Sequence, residues 1–241
     1  MPEARIARNI AHLRERIAQA ARRAGRTATD ITLVAVSKTM PPEIVRQAYD
    51  AGIRHFGENY VQDALPKINH TLLQLPDIHW HFIGHLQTNK VRYVVGRFAL
   101  IHSVDSLRIA RALGQRAIQT GQQVPILLEV KIDPAATKFG LDADQVPDIA
   151  QQILHIPGVQ LRGLMGMAPF HPDPEAARPG FRLLRQLLQQ LPPDARQILS
   201  MGMSADFEVA IEEGANMIRI GTAIFGPRHS APEAARSTAG E

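Results

Sequence analysis

Eight apolar, strand-like runs alternate with helix-like segments along this chain, and that rhythm constrains its fold more than any other feature. The runs lie at 31–36, 53–56, 79–83, 99–103, 125–132, 161–165, 197–201 and 217–220. Helical spacing or boundary residues mark 41–52, 60–73, 89–95, 106–120, 145–154, 180–191 and 206–213 between them, with Pro42 near the start and Gly52 past the end of the first. A strand–helix unit every 25 to 30 residues or so, eight times over in a chain of 241 residues, is the arithmetic of a closed (β/α)8 barrel. A doubly wound open sheet would call for a Gly-x-Gly-x-x-Gly turn after the first strand, and the chain has none there. The expectation is therefore α/β: a single (β/α)8 TIM barrel over 1–228 with an extra N-terminal helix. Residues 229–241, rich in Ser, Ala, Pro and Gly, are expected to form a disordered tail.

Composition removes several function classes. There is no cysteine, so disulfides, thiol nucleophiles and thiolate metal sites are out. No apolar run approaches the roughly 20 residues of a membrane span, and the start Met1-Pro2-Glu3-Ala4-Arg5 lacks a signal pattern. A cytoplasmic protein with no membrane partner is expected. A net charge of +4 and an isoelectric point near 9.8 invite a nucleic-acid reading, since seven arginines crowd residues 5–26. Ile6, Ile10, Leu13 and Ile17 recur there at helical spacing, however, which makes the segment an amphipathic helix with an arginine-rich outer face. No nucleic-acid recognition motif accompanies the charge, and no such partner is expected.

On this fold chemistry sits at the C-terminal ends of the strands. The first run, Ile31-Thr32-Leu33-Val34-Ala35-Val36-Ser37-Lys38, is apolar without alternation, as in a parallel strand buried on both faces, and it delivers a lysine where it ends. Desolvation there favours the neutral amine, which can attack a carbonyl; the competing reading is a lysine that caps a strand end in water. Across the same mouth fall Ser200-Met201-Gly202-Met203-Ser204 and Arg219-Ile220-Gly221-Thr222, after the seventh and eighth strands. Small residues at those two ends are the usual phosphate cradle of a barrel.

A lysine opposite a phosphate cradle with an arginine between them suggests pyridoxal 5′-phosphate (PLP). Lys38 would take the aldehyde, Ser204, Gly221 and Thr222 the phosphate, and Arg219 would reach the pyridine nitrogen. A guanidinium cannot accept a proton and repels one, so the ring stays neutral and is a weak electron sink. That favours carriage of the cofactor, or a modest proton transfer, over decarboxylation or transamination.

Six blocks in order carry a resemblance: Ala35 to Lys38, Phe56 to Gln62, His81 to Lys90, Leu161 to Met165, Leu199 to Ser204 and Ile218 to Gly226. Together they resemble the pyridoxal phosphate homeostasis protein family, which is related to the barrel domain of alanine racemases. The resemblance implies a single barrel that carries PLP as a Schiff base on Lys38. It also implies no strong turnover, and a role in keeping intracellular vitamin B6 and amino-acid pools balanced, with PLP-dependent apoenzymes as recipients. It places phosphate contacts on Ser200, Ser204, Gly221 and Thr222, the pyridine-nitrogen contact on Arg219, and Asn59 beside the ring. A monomer is expected. The segment Asp133 to Gly140 departs from the family by lacking an acidic residue ahead of Lys138.

The enzyme alternative is a PLP-dependent amino-acid racemase, which needs an acid/base on each face of the substrate carbon. In the racemases the second base is a tyrosine from an additional domain of a partner subunit, and the chain is expected to end before such a domain. Tyr49, Tyr60 and Tyr93 fall on expected helices and read as packing residues. His79, His81 and His85 look at first like a metal cluster, but 79 and 81 share a strand face, 85 lies past its end, and no carboxylate is in register. Met165, Met167, Met201 and Met203 read as packing around the mouth, and Asp105 and Asp206 as helix caps or first-turn acids.

Overall fold

The computed structural model describes residues 2–72, 75–132 and 139–227. The expected tail at 229–241 and most of the Asp133 to Gly140 segment lie outside the described residues. Eight parallel strands form a closed barrel in sequence order: β1 (Thr32–Val36), β2 (His55–Glu58), β3 (His79–Phe82), β4 (Leu100–Val104), β5 (Val124–Val130), β6 (Val159–Gly166), β7 (Ile198–Ser200) and β8 (Met217–Ile220). Closure is direct, because β1 pairs with β2 on one side and β8 on the other. The α/β barrel expected from the sequence is the one observed.

The α-helices are α1 (Pro2–Arg23), α2 (Pro42–Asp50), α3 (Val61–Leu72), α4 (Val91–Val94), α5 (Leu107–Gln119), α6 (Val146–Leu154), α7 (Arg178–Gln190), α8 (Phe207–Glu212) and α9 (Thr222–Phe225). One is shorter than the sequence pattern suggests. After β3 a 3-10 turn at Thr88–Lys90 takes up residues that read as helix, leaving one turn for α4. After β8 there is again a single turn, α9, and α1 packs against it and against α2 and α8. Ile6, Ile10, Leu13 and Ile17 are buried as expected. The arginine face of α1 is not purely solvated: Arg16 pairs with Glu208 at 2.9 Å and Arg23 with Glu212 at 2.7 Å, both on α8. These pairs are half exposed, so the apolar stripe does most of the holding.

Strand alternation sorts the core in two. Ala35, Phe56, Phe82, Ile101, Leu128, Leu164, Leu199, Ile218 and Ile220 face outward under the helices in the main core. Val34, Leu100, Leu127, Met165 and Met217 form a second, smaller cluster inside the lumen. One glycine is indispensable to closure. Gly163, at φ +156° beside the register shift in β6, would put a Cβ 1.8 Å from the Ile198 carbonyl oxygen, so any side chain there would push β7 off its neighbour.

Candidate functional site

Lys38 sits two residues beyond β1, half-buried, and the residue after it is strained. Thr39 has φ +64°, a left-handed conformation that a β-branched residue adopts at a cost of about 1–3 kcal/mol. Beneath the lysine a buried polar knot holds the backbone. Lys67 Nζ, from α3, donates to the Ser37 carbonyl at 2.8 Å and to Glu58 Oε1 at 2.7 Å. Ser37 Oγ donates to the same carboxylate oxygen at 2.6 Å. Burial pushes the Glu58 carboxyl above its usual range, against the pull of Lys67 and Ser37. The end of β1 is thus pinned by an ion pair with almost no solvent access.

A cavity of about 420 Å3 opens beside this knot, lined by Lys38, Ser204, Arg219, Gly221 and Thr222 together with Val36, Met40, Phe170 and Met203. Two tight turns form its far wall. After β7, Asp206 Oδ1 accepts from Met203 N–H at 2.6 Å, closing a turn that presents Ser204 and Ala205. After β8, α9 begins at Thr222, and Ser204 Oγ accepts from Ala223 N–H at 3.3 Å, tying the two turns together. Small side chains and hydroxyls there leave room for an anion to meet polar hydrogens.

Arg219 enters the lumen from β8 with 4% of its surface exposed. Nη1 donates to Ser200 Oγ at 2.6 Å and Nη2 to the Gly166 carbonyl at 3.0 Å. Both acceptors are neutral. Burial lowers the guanidinium's pKa to about 10, opposed through space by Glu129 and Asp206, so the group stays charged at neutral pH. Glu129, at the lumen end of β5, is itself pushed up to about 7 by burial and by Asp105, against the pull of Arg219.

Residues 8–229 match the family described as alanine racemase, N-terminal domain. The chain is 43% identical to the pyridoxal phosphate homeostasis protein of Aquifex aeolicus, over 91% of this chain and 96% of that one. It is 44% identical to the protein of the same name from Pseudomonas aeruginosa, over 92% and 96%. The chain belongs to the pyridoxal phosphate homeostasis protein family. Among solved structures, PipY of Synechococcus elongatus with PLP bound superposes with a TM-score of 0.79 at 39% identity, covering 92% of this chain and 100% of that one. Alanine racemase from Bartonella henselae shares the fold, with a TM-score of 0.71 at 14% identity over 95% of this chain and 61% of that one.

Of the residues the family resemblance singles out, Lys38, Ser204, Arg219, Gly221 and Thr222 meet at the one cavity. Ser200 lies a layer deeper, without exposed surface, its hydroxyl taken up by Arg219 and by His102 Nδ1 at 3.0 Å. A hydroxyl held that way supports the arginine and does not reach into the cavity. Asn59 packs under Gly84, where a Cβ would stand 2.1 Å from the Asn59 carbonyl oxygen. Its Oδ1 is buried with no partner among the described residues. Tyr49, Tyr60 and Tyr93 are absent from the described lining, and Tyr60 is 49% exposed. Among the described residues no group of three His, Asp or Glu is arranged to hold a metal. Asp105 is no helix cap; it accepts from Ser106 Oγ at 3.1 Å and faces His85 Nδ1 at 3.4 Å. Lys67, Glu129, His55 and His102 are functional residues that no motif in the sequence singles out. Glu129 was findable, as the lone acid at an inward position of an apolar strand.

Proposed function

We propose that this chain binds PLP and holds it as a Schiff base on Lys38, buffering and delivering the cofactor in the cytoplasm rather than turning over substrate. The observation that carries this reading is the shared cavity: among the described residues it has one lysine, one guanidinium bonded only to neutral acceptors, and a wall of small residues and hydroxyls facing them. The donor set fits the group. The Lys38 amine condenses with an aldehyde and releases water, and Ser204, Gly221 and Thr222 take the phosphate. Arg219 directs a positive charge at the pyridine nitrogen and so keeps it unprotonated. When bound, the cofactor supplies an electron sink that this charge keeps weak.

Carriage rather than racemisation is supported by the described lining. Its carboxylate, Asp206, has Oδ1 committed to Met203 N–H, and no tyrosine stands there. Phe170, 83% exposed at the cavity's edge, offers an apolar contact to a PLP-dependent apoenzyme as recipient. The chain is read as one barrel domain over 1–228, acting as a monomer in the balance of vitamin B6 and amino-acid pools.

The test is to load the purified protein with PLP, reduce it with borohydride and map the modified peptide. A visible absorption band and label on Lys38, both lost in Lys38→Ala, are expected. Label on another lysine, or an undiminished band in the alanine variant, overturns the reading. Robust alanine racemisation by the loaded protein would replace carriage with catalysis.

A further inference from the structure

Beneath Arg219 the lumen holds an unbroken row of polar side chains from five strands. Ser200 Oγ lies 3.0 Å from His102 Nδ1; His102 Nε2 lies 2.9 Å from His81 Nδ1; His81 Nε2 lies 2.9 Å from His55 Nδ1. The row crosses from β8 and β7 through β4 and β3 to β2 and so descends from the cofactor cavity to the barrel floor. There His55 lines a second cavity together with Arg14, Thr29 and Arg54. His79 stacks on His55 with ring centroids 4.8 Å apart, fixing the plane of the last ring.

The proton arrangement follows from the end that cannot vary. A guanidinium only donates, so Ser200 Oγ accepts from Arg219 and its single hydrogen needs an acceptor elsewhere. Ser200 has no exposed surface, and among the described residues the acceptor within reach is His102 Nδ1. Were His102 protonated there, Ser200 would accept twice and its own buried hydrogen would have no partner. His102 Nδ1 is therefore bare and its hydrogen sits on Nε2, where it donates to His81 Nδ1. The same logic passes to His81 and then to His55.

We propose that Arg219, Ser200, His102, His81 and His55 form a one-way hydrogen-bond chain: the guanidinium fixes all three imidazoles in the Nε2–H tautomer, and they act as positioning residues that hold it in place. Burial keeps each ring neutral, lowering His55 to about 4, His81 to about 3 and His102 well below the usual range. With no anion in the row, the charge of Arg219 is anchored without being neutralised and remains directed at the cavity. The row stands independently of what the cavity binds; only its service to a pyridine nitrogen rests on the PLP reading.

Nitrogen-15 labelling of histidine in the full, cofactor-free chain tests this at neutral pH, with signals assigned by His55→Phe, His81→Phe and His102→Phe. A single Nε2–H tautomer is expected at all three positions. Arg219→Met should release Ser200 and give a tautomer mixture at His102, whereas Arg219→Lys, which keeps a donor, should restore the single form. Ser200→Ala, should the arginine variant not fold, should likewise free His102. An Nδ1–H signal at any of the three in the unaltered chain, or an unchanged His102 in both Arg219→Met and Ser200→Ala, overturns the proposal. Failure of PLP to label Lys38 in a chain whose tautomers are as expected would remove the cofactor reading and leave the row intact.

Discussion

The barrel lumen is divided between two populations that differ in kind. Val34, Leu100, Leu127, Met165 and Met217 fill one part with hydrocarbon and sulfur. His55, His81, His102, Ser200 and Arg219 fill the other with donors and acceptors. Both come from inward positions on the strands, and all but His55, which is half-buried at the second cavity, are almost wholly buried. The apolar part needs only volume, because dispersion and burial have no direction. In the polar part each member dictates the state of the next, since one misplaced hydrogen leaves two groups unpaired in a dry interior. Shape therefore suffices on one side of the lumen, while the other also requires a proton inventory.

Acid should break this contrast most strongly. The row's imidazoles have folded pKa values far below their unfolded value near 6.5, about 4 for His55 and about 3 for His81. The unfolded chain therefore binds protons that the folded one refuses, and stability present above 6.5 is lost as pH falls from there toward 3. Urea unfolding between pH 7 and pH 4 should show a falling midpoint, with a shallower slope in His81→Phe. An equal slope in both would mean that the row does not carry the acid sensitivity. Next in size is His102→Leu, which strands the Ser200 hydroxyl and the His81 ring at a total of about 2–6 kcal/mol. Leu127→Ala, on the apolar side, should cost about 2–5 kcal/mol, and Leu127→Met less than about 1.5 kcal/mol. Comparing the unfolding midpoints of these variants sharpens the contrast: a methionine costs little on one side, whereas an apolar residue of similar size should cost more in the row.

What the sequence disclosed follows the same division. Strand and helix periods, with the ends of β1, β7 and β8, were enough to bring Lys38, Arg219, Gly221 and Thr222 to one mouth, because a closed barrel converts strand ends into a location. His81 reads in the sequence as part of a family block and as a candidate metal ligand, not as a member of a polar row. Its true neighbours depend on the stagger between strands: His55 stands opposite His79, and His81 opposite Gly57 and Leu100. Alternation says which residues face inward, not which rings meet across a sheared lumen. Lys67 was illegible for a different reason. It stands between Pro66 and Ile68 on α3 with no motif to mark it, and only the packing of that helix buries its ammonium between Glu58 and the Ser37 carbonyl.

The mildest test concerns Glu129, where the two parts of the lumen touch. It follows Leu127 at the next inward position of β5 and looks toward the polar side, where Arg219 pulls its pKa down while burial and Asp105 carry it up to about 7. Here the folded value exceeds the unfolded one, so the sign is opposite to that of the imidazoles. The folded chain holds a proton that the unfolded chain releases; the associated stability is full below about 4.5 and is lost as pH rises to about 7. Glu129→Gln removes the ionisation while keeping the shape, and should therefore stabilise the chain at pH 8 by about 1–3 kcal/mol. That advantage should shrink to almost nothing at pH 4.5. A glutamine variant that is less stable at pH 8 would mean that the carboxylate is held there by the charge of Arg219 more strongly than burial opposes it, and the guanidinium would then be partly neutralised from across the lumen instead of standing uncompensated above the row.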